Sequence, residues 1–308
     1  MAIRRIWVFF IVLGVIAGLA YVLTVYTAKS PNPKPVPYQS SNLEAVTGSY
    51  YTVSDRAGKV ILETGFPIKI GDEYIDADNA RYRVTSVKGW KAAADKIKVQ
   101  KLDRAFVSQL FTTKSALAQA PLRVAVYHSH TDESFIPTQG VSSQPFHGAV
   151  YRVGDALATS LSNSGITTDH NYTPHDPHDT YAYSRSRRTV FSMLKTGVSA
   201  LFDVHRDSAP SDAYFTYITG VESGRVMIVV GRQNPNMMQN LSFAQDVKNT
   251  ADRIYPGLIR GIFIGHGDYN QDLAPSSLLF EIGTDQLPES MAIQAATLLG
   301  DVLGQVMK

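Results

Sequence analysis

Downstream of Leu122, short blocks of consecutive apolar residues alternate with longer stretches in which apolar residues return every three or four positions. Blocks such as VAVY, ALF and SLLF fit strands covered on both faces, whereas the longer stretches fit helices that bury one stripe. Their alternation predicts βαβ units, and hence an α/β domain built on a mostly parallel twisted sheet flanked by helices. Strands are expected at 123–130, 166–172, 200–205, 225–231, 259–265 and 277–283, and helices at 151–163, 184–194, 236–255 and 288–307. In the first of these helices Val153, Ala156, Leu157, Ser160 and Leu161 fall on one face, and Gly165 supplies the stop.

The pattern differs upstream. Between about 48 and 100, short segments such as SYYTVSD, KVILETG and ARYRVTSVKG, rich in aromatic and β-branched residues, are separated by Asp, Gly and Asn turn signals. That predicts a small antiparallel β unit, joined to the larger domain at 122–308 by a mixed connector at 101–121. Residues 30–41 read SPNPKPVPYQSS, whose prolines favour an extended spacer, so 29–47 is assigned as a linker. Ahead of it, Arg4 and Arg5 precede an uncharged, mainly apolar stretch from Ile6 to Ala28. About 23 residues at about 1.5 Å each reach roughly 34 Å, enough to cross a hydrocarbon core of about 30 Å. A cleavable signal would have a shorter apolar region and an A-x-A-like site, which Tyr26, Thr27 and Ala28 do not make. Residues 1–28 are therefore expected to be an uncleaved single-pass anchor with Trp7 and Tyr26 at its two interfaces, the arginines inside and the rest of the chain outside the cytoplasm.

Composition narrows the chemistry. The chain has 308 residues, a formal net charge of +2 and no cysteine, so disulfide frameworks and thiolate metal sites are excluded. No dense Lys/Arg stripe interleaved with aromatics is present, so nucleic acid is not an expected partner.

Three apolar blocks end in residues that bind metals or move protons: RVAVYHSH followed by TDE, ALFDVH, and SLLFEIG. At the carboxyl ends of strands they fall where open α/β sheets place their ligands, so His130, Glu133, His205 and Glu281 can converge. Two imidazoles and a carboxylate suffice for a catalytic Zn2+ with one open position, which leaves Glu281 as the base. His128 and His130 share a face if the strand runs through both, so either can be the ligand; His130 is three residues from Glu133, and His128 then becomes a substrate or outer contact. Asp203 alternates with His205 and is placed to orient its imidazole. Arg185, Arg187 and Arg206 are candidates for holding substrate carboxylates, with surface ion pairing as the competing role. His175 and His178, in HDPHD, are expected on a loop bordering the cleft, and His147, His170 and His266 carry no assignment.

YHSHTDESF, YRVGDALATSL, HDPHDTYAYSRSRRTV, FDVHRD, YNQDLAPSSLLFEIGT and the terminal helix together resemble the stage II sporulation protein P family. That resemblance implies a membrane-anchored zinc amidase and endopeptidase of peptidoglycan, related to the N-acetylmuramoyl-L-alanine amidases, with a glycan-cleaving transglycosylase as a possible partner. It matches His130, Glu133 and His205 to the zinc ligands and Glu281 to the catalytic acid. In the broader amidases the ligand carboxylate opens the first long helix, whereas FHGAVYRVGD offers no Glu there and Glu133 takes that part. A wall-binding or assembly protein that keeps the fold without turnover is the alternative from another class.

Overall fold

In the computed structural model, which describes residues 49–98, 122–179 and 181–308, the apolar blocks are the central strands. In chain order the strands are β1 (Tyr51–Ser54), β2 (Val60–Thr64), β3 (Glu73–Asp76), β4 (Arg81–Lys88), β5 (Lys91–Ile97), β6 (Arg123–Tyr127), β7 (Thr167–His170), β8 (Ala200–Asp207), β9 (Phe215–Ile218), β10 (Val221–Gly224), β11 (Val226–Gly231), β12 (Ile259–Gly265) and β13 (Ser277–Thr284). The long helices are α1 (Val150–Asn163), α2 (Ala182–Leu194), α3 (Met237–Ile254) and α4 (Glu289–Val306). Every residue of β8, β11, β12 and β13 is buried, as expected for strands covered on both faces. α1, α3 and α4 pack with Val126, Phe202, Val204, Ile228, Ile262 and Phe280 on one face. On the other face Ala125, Tyr127 and Leu201 meet Val190 and Met193 of α2.

The main sheet has the order β2-β1-β5-β4-β3-β12-β11-β13-β8-β6-β7, and β9 with β10 forms a separate hairpin. It is mixed, which corrects the expectation of a mostly parallel sheet. β7, β6, β8 and β13 run parallel, as do β11 with β12 and β1 with β5. The pairings β1–β2, β3–β4, β4–β5, β3–β12, β11–β13 and β9–β10 are antiparallel, and among the described residues they are the majority. The connections explain this. A parallel step needs a crossover, and α1, α2 and α3 supply one between β6 and β7, β7 and β8, and β11 and β12. β8 reaches β11 through a one-turn helix and the β9–β10 hairpin, and β12 reaches β13 through a loop with one 3-10 turn. Neither link crosses the sheet, so the next strand runs back.

One edge of the sheet therefore collects the carboxyl ends of β6, β8 and β13 together with the amino ends of β11 and β12. Strands β1–β5, expected as a small unit of their own, extend this sheet through the β3–β12 pairing, with Ile75 opposite Ile262 and Tyr74 opposite Phe263. The described residues all belong to one compact unit. The expected anchor at 1–28, linker at 29–47 and connector at 101–121 lie outside the described residues, and no helix among the described residues is long and apolar enough to cross a membrane.

Candidate metal centre

Strand β6 stops at Tyr127, and the next six residues fold over the end of β8. The two histidines of HSH consequently diverge. His128 is fully buried, its Nδ1 donates to Val204 O at 2.7 Å, and its Nε2 lies 2.8 Å from His170 Nε2. Burial, reinforced by His170, pushes its pKa well below the ordinary range and keeps the ring neutral. Both ring nitrogens of His128 thus have partners inside the protein and it lies outside the close trio; β6 ends before the two histidines, so no continuous strand runs through both.

His130 turns the other way. Its Nδ1 stands 3.4 Å from Glu133 Oε1, and His205 Nδ1 stands 3.0 Å from the same oxygen. His130, Glu133 and His205 form a buried group whose ligand-type atoms all lie within 4.8 Å of one another. Ligands at about 2.0–2.2 Å on a tetrahedral zinc are about 3.3 Å apart, so this spacing and donor set fit that ion.

Asp203, two positions before His205, performs the orienting role expected of it. Its Oδ1 lies 2.9 Å from His205 Nε2, and it accepts from Ser129 N at 2.8 Å and Ser129 Oγ at 2.7 Å. Ser129 Oγ is also 2.9 Å from His205 Nε2. Since the hydroxyl proton goes to Asp203, His205 presents Nε2–H to both groups, and Nδ1–H, which donates to Glu133 Oε1, is the proton a metal would replace. Glu133 is braced behind by Arg206, whose backbone N donates to Oε2 at 3.0 Å. Burial opposes a charged imidazole here, but the carboxylates of Asp203 and Glu133 outweigh it and raise the His205 pKa well above its ordinary value. The site is thus built to hold a positive charge, and a divalent ion would displace the proton.

Glu281 lies on β13 as the direct Cα partner of His205, fully buried and with Met227 of β11 on its other side. Past it the register shifts before Thr284, and Gly283 takes a φ of 74° there, a conformation that favours glycine. Glu281 does not belong to the close trio but stands at the same level of the next strand.

The candidate arginines are otherwise engaged. Arg185 donates to His175 O at 2.6 Å, to Pro177 O and to Asp179, closing the loop before α2. Arg187 forms a two-pronged pair with Asp272 at 2.7 and 2.5 Å. Arg206 is buried, with its guanidinium on Ser134 O at 3.2 Å and Ser142 O at 3.0 Å. All three guanidiniums thus have partners within the protein, as the competing pairing role expects.

His178, expected on a loop bordering the cleft, stands directly against the trio. Its ring stacks on His130 with centroids 3.9 Å apart and planes 22° from parallel, and its Nδ1 lies 3.0 Å from Asp132 Oδ1. Its side chain is 25% exposed, whereas those of His205 and Glu133 are at 0%. Tyr183 of α2 adds a wall, its ring 5.3 Å from that of His130. The available signal was the second His of HDPHD, whose prolines and aspartates also suit an ordinary surface loop.

With the site described, its relatives can be compared. Residues 71–304 match the family model described as Stage II sporulation protein P (SpoIIP). The stage II sporulation protein P of Bacillus subtilis (strain 168) is 30% identical over 203 residues, covering 59% of this chain and 50% of that protein, so the chain spans about half the length of this curated relative. Solved structures with some likeness include the N-acetylmuramoyl-L-alanine amidase AmiC2 of Nostoc punctiforme, at 13% identity and a TM-score of 0.38 over 60% of this chain and 94% of that one. The CwlD amidase from Clostridioides difficile, solved in complex with the GerS lipoprotein, gives 9% identity and a TM-score of 0.43 over 60% and 98%. With residues 71–304 of 308 matched by one family model, the chain belongs to the stage II sporulation protein P family.

Proposed function

We propose that this chain is a zinc-dependent hydrolase of cell-wall peptidoglycan that cuts the amide between N-acetylmuramic acid and L-alanine, with stem-peptide cross-links as a second target. One observation carries the reading: the buried trio of His130, Glu133 and His205, with Glu281 level with His205 on the adjoining strand. A zinc ion held by those three residues would supply Lewis-acid chemistry at one open position. Asp203 and Ser129 hold the His205 ring with Nε2–H toward them, so that Nδ1, on the Glu133 side, would be the atom that meets the metal. Glu281 takes the proton of the attacking water and returns it to the leaving amine, the two proton movements an amide requires near neutral pH. Burial around the trio excludes bulk water and strengthens each of these interactions. The apolar stretch at 6–28 and the proline-rich spacer would keep the domain outside the cell, anchored to the membrane and within reach of the wall. A transglycosylase partner belongs to the same reading.

The test is incubation of the full-length protein with purified sacculi, with and without a chelator, alongside Glu281→Gln. Free stem peptides are the expected product for wild type. The chelator should abolish release and readdition of zinc restore it, and Glu281→Gln should slow release by about 10²–10⁴-fold. Uncrosslinked but otherwise intact muropeptides would shift the assignment to an endopeptidase. No soluble product from metal-loaded wild type would leave a wall-binding protein without turnover.

A further inference from the structure

Beyond the carboxyl ends of β8 and β13 a pocket of about 290 Å3 is lined by Tyr50, Ser208, Ala209, Pro210, Asp285 and Gln286. That is the small end of ordinary ligand pockets, about 300 Å3. Ser208, Ala209 and Asp285 form a buried floor, whereas Tyr50 and Pro210 are half-buried and Gln286 is exposed, so the pocket opens to solvent along that rim. Among the described residues lining it Asp285 alone is charged, and it is 1% exposed. Its carboxylate meets only neutral groups: Gln286 Nε2 donates to Oδ1 at 3.1 Å, and Ser208 Oγ lies 3.4 Å from Oδ2. Thr284 Oγ1 stands 3.3 Å from Oδ1 but gives its proton to Ala209 O at 2.7 Å. The neighbouring Asp207 is by contrast fully served, by Gly65 N and Ser208 N at 2.7 Å each, by the Tyr214 hydroxyl at 2.8 Å and by Arg260 at 4.0 Å. A buried carboxylate without a counter-charge is costly unless a cation joins it.

We propose that this pocket binds the side-chain ammonium of a lysine-like diamino acid in a peptide, with Asp285 as its counter-charge. The lining selects that group. Tyr50, Ala209 and Pro210 supply apolar walls for an alkyl stem, which a long basic side chain buries while its head stays polar. Oδ1 of Asp285 is taken by Gln286, so Oδ2 is the acceptor left, with the Ser208 hydroxyl beside it. One acceptor suits the point charge of an ammonium, whereas the fork of a guanidinium pairs best with both oxygens. A calcium ion, which takes about six to eight oxygen ligands, finds a single carboxylate here.

The pocket stands at the same edge of the sheet as the trio. Thr284 pairs with Asp207, past the rung on which Glu281 pairs with His205, and Asp285 N donates to Asp207 O at 2.9 Å. Ile136 N donates to Asp285 O at 2.8 Å, so three residues of chain, at most about 11 Å, separate Glu133 from the residue that touches the floor. The side chain enters over the rim of Tyr50, Pro210 and Gln286, and no passage through the buried strands is involved. Only the source of the amine rests on the hydrolase reading: on that reading it is the diamino acid of a wall stem peptide.

The experiment is calorimetric titration of the full-length protein with an end-blocked Ala-Gln-Lys peptide and with its norleucine and arginine counterparts. The lysine form is expected to bind about tenfold more tightly than either. Asp285→Asn should erase that preference. Gln286→Lys, a change at an exposed position that leaves folding intact, should erase it too, by tethering an ammonium beside Asp285. Equal binding of the lysine peptide and either counterpart, or an undiminished preference in either variant, overturns the proposal. So does Asp285-dependent binding of ammonium or calcium ions as tight as that of the lysine peptide, which would make this a site for a free cation. Digestion of native and amine-acetylated sacculi separates the two readings. Equal cleavage of both removes the wall peptide as the source of the amine, and a lysine preference without cleavage of native sacculi removes the hydrolase alone.

Discussion

Asp203 shows how a residue that touches no substrate can set the centre. Its oxygens join Ser129 and the Nε2 of His205 in one buried knot, so Asp203→Asn would leave the trio in place but weaken the demand for an Nε2–H tautomer. Zinc affinity is expected to fall about 10–100-fold, read by competition with a chelator, and an unchanged affinity would show that the knot is packing only. This link was visible in the sequence because strand alternation puts 203 and 205 on one face. His178 was not, since its stacking on His130 comes from the path of a loop that no local periodicity encodes. Distant from the centre, Asp72 makes a different prediction. It is buried, its Oδ2 accepts from Lys69 N at 2.7 Å and Arg232 is 3.4 Å from Oδ1. Burial outweighs these and pushes its pKa from 3.8 to about 7. A folded-state pKa above the unfolded one means stability fully present below about pH 4 and lost as pH rises through 7. Between pH 5 and 8 the wild type should lose on the order of 2 kcal/mol more than Asp72→Asn, measured by urea unfolding at both values. Parallel pH curves for the two proteins would refute the assignment.

At the scale of elements, the strands and long helices were legible because each apolar block or stripe is buried by the partner its spacing implies. Strand direction was misread although the cue was present. Helical spacing fills the gaps between β6 and β7, β7 and β8, and β11 and β12, whereas the gaps before β11 and β13 have none. A missing crossover helix predicts reversal, and weighing it would have produced the mixed sheet. The β9–β10 hairpin went unread for a similar reason: Thr219 and Gly220 take φ of 51° and 82°, the two-residue turn that suits hairpins, within the alternating run FTYITGVES. What no pattern indicated is that β3 would dock on β12. That pairing depends on Gly261, where a Cβ would come within 2.5 Å of Ile75 O and also strike the Tyr74 hydroxyl. Gly261→Val should therefore pry β3 from β12 and lower stability by about 1–3 kcal/mol in urea unfolding, leaving the geometry of the trio intact. A wild-type midpoint in that variant would mean the close approach is not maintained in solution.

For the whole molecule, the β3–β12 seam decides what can fold alone. Cutting the chain at 122, where the alternating pattern begins, would turn β12, buried at all seven residues, into a bare edge strand. It would also strip Gly65 N from Asp207, Glu63 O from Arg260 and Ala77 O from Lys248, and uncover Phe263 and Tyr269 where Phe66 packs 5.8 Å from each. Buried charges deprived of their partners are among the costlier losses a fold can suffer. The family match starting at residue 71, just ahead of β3, agrees with a folding unit that includes this seam. Three fragments should therefore rank in order: 49–308 soluble and monomeric, 71–308 soluble but lower in melting temperature, 122–308 aggregated or molten by size exclusion and near-UV circular dichroism. The middle fragment keeps β3 and β4 over the edge while losing Phe66 and Gly65, so its deficit reports the packing of the first two strands separately from the pairing itself. If 122–308 proved monomeric and as stable as 49–308, the seam would be an ornament on an autonomous domain.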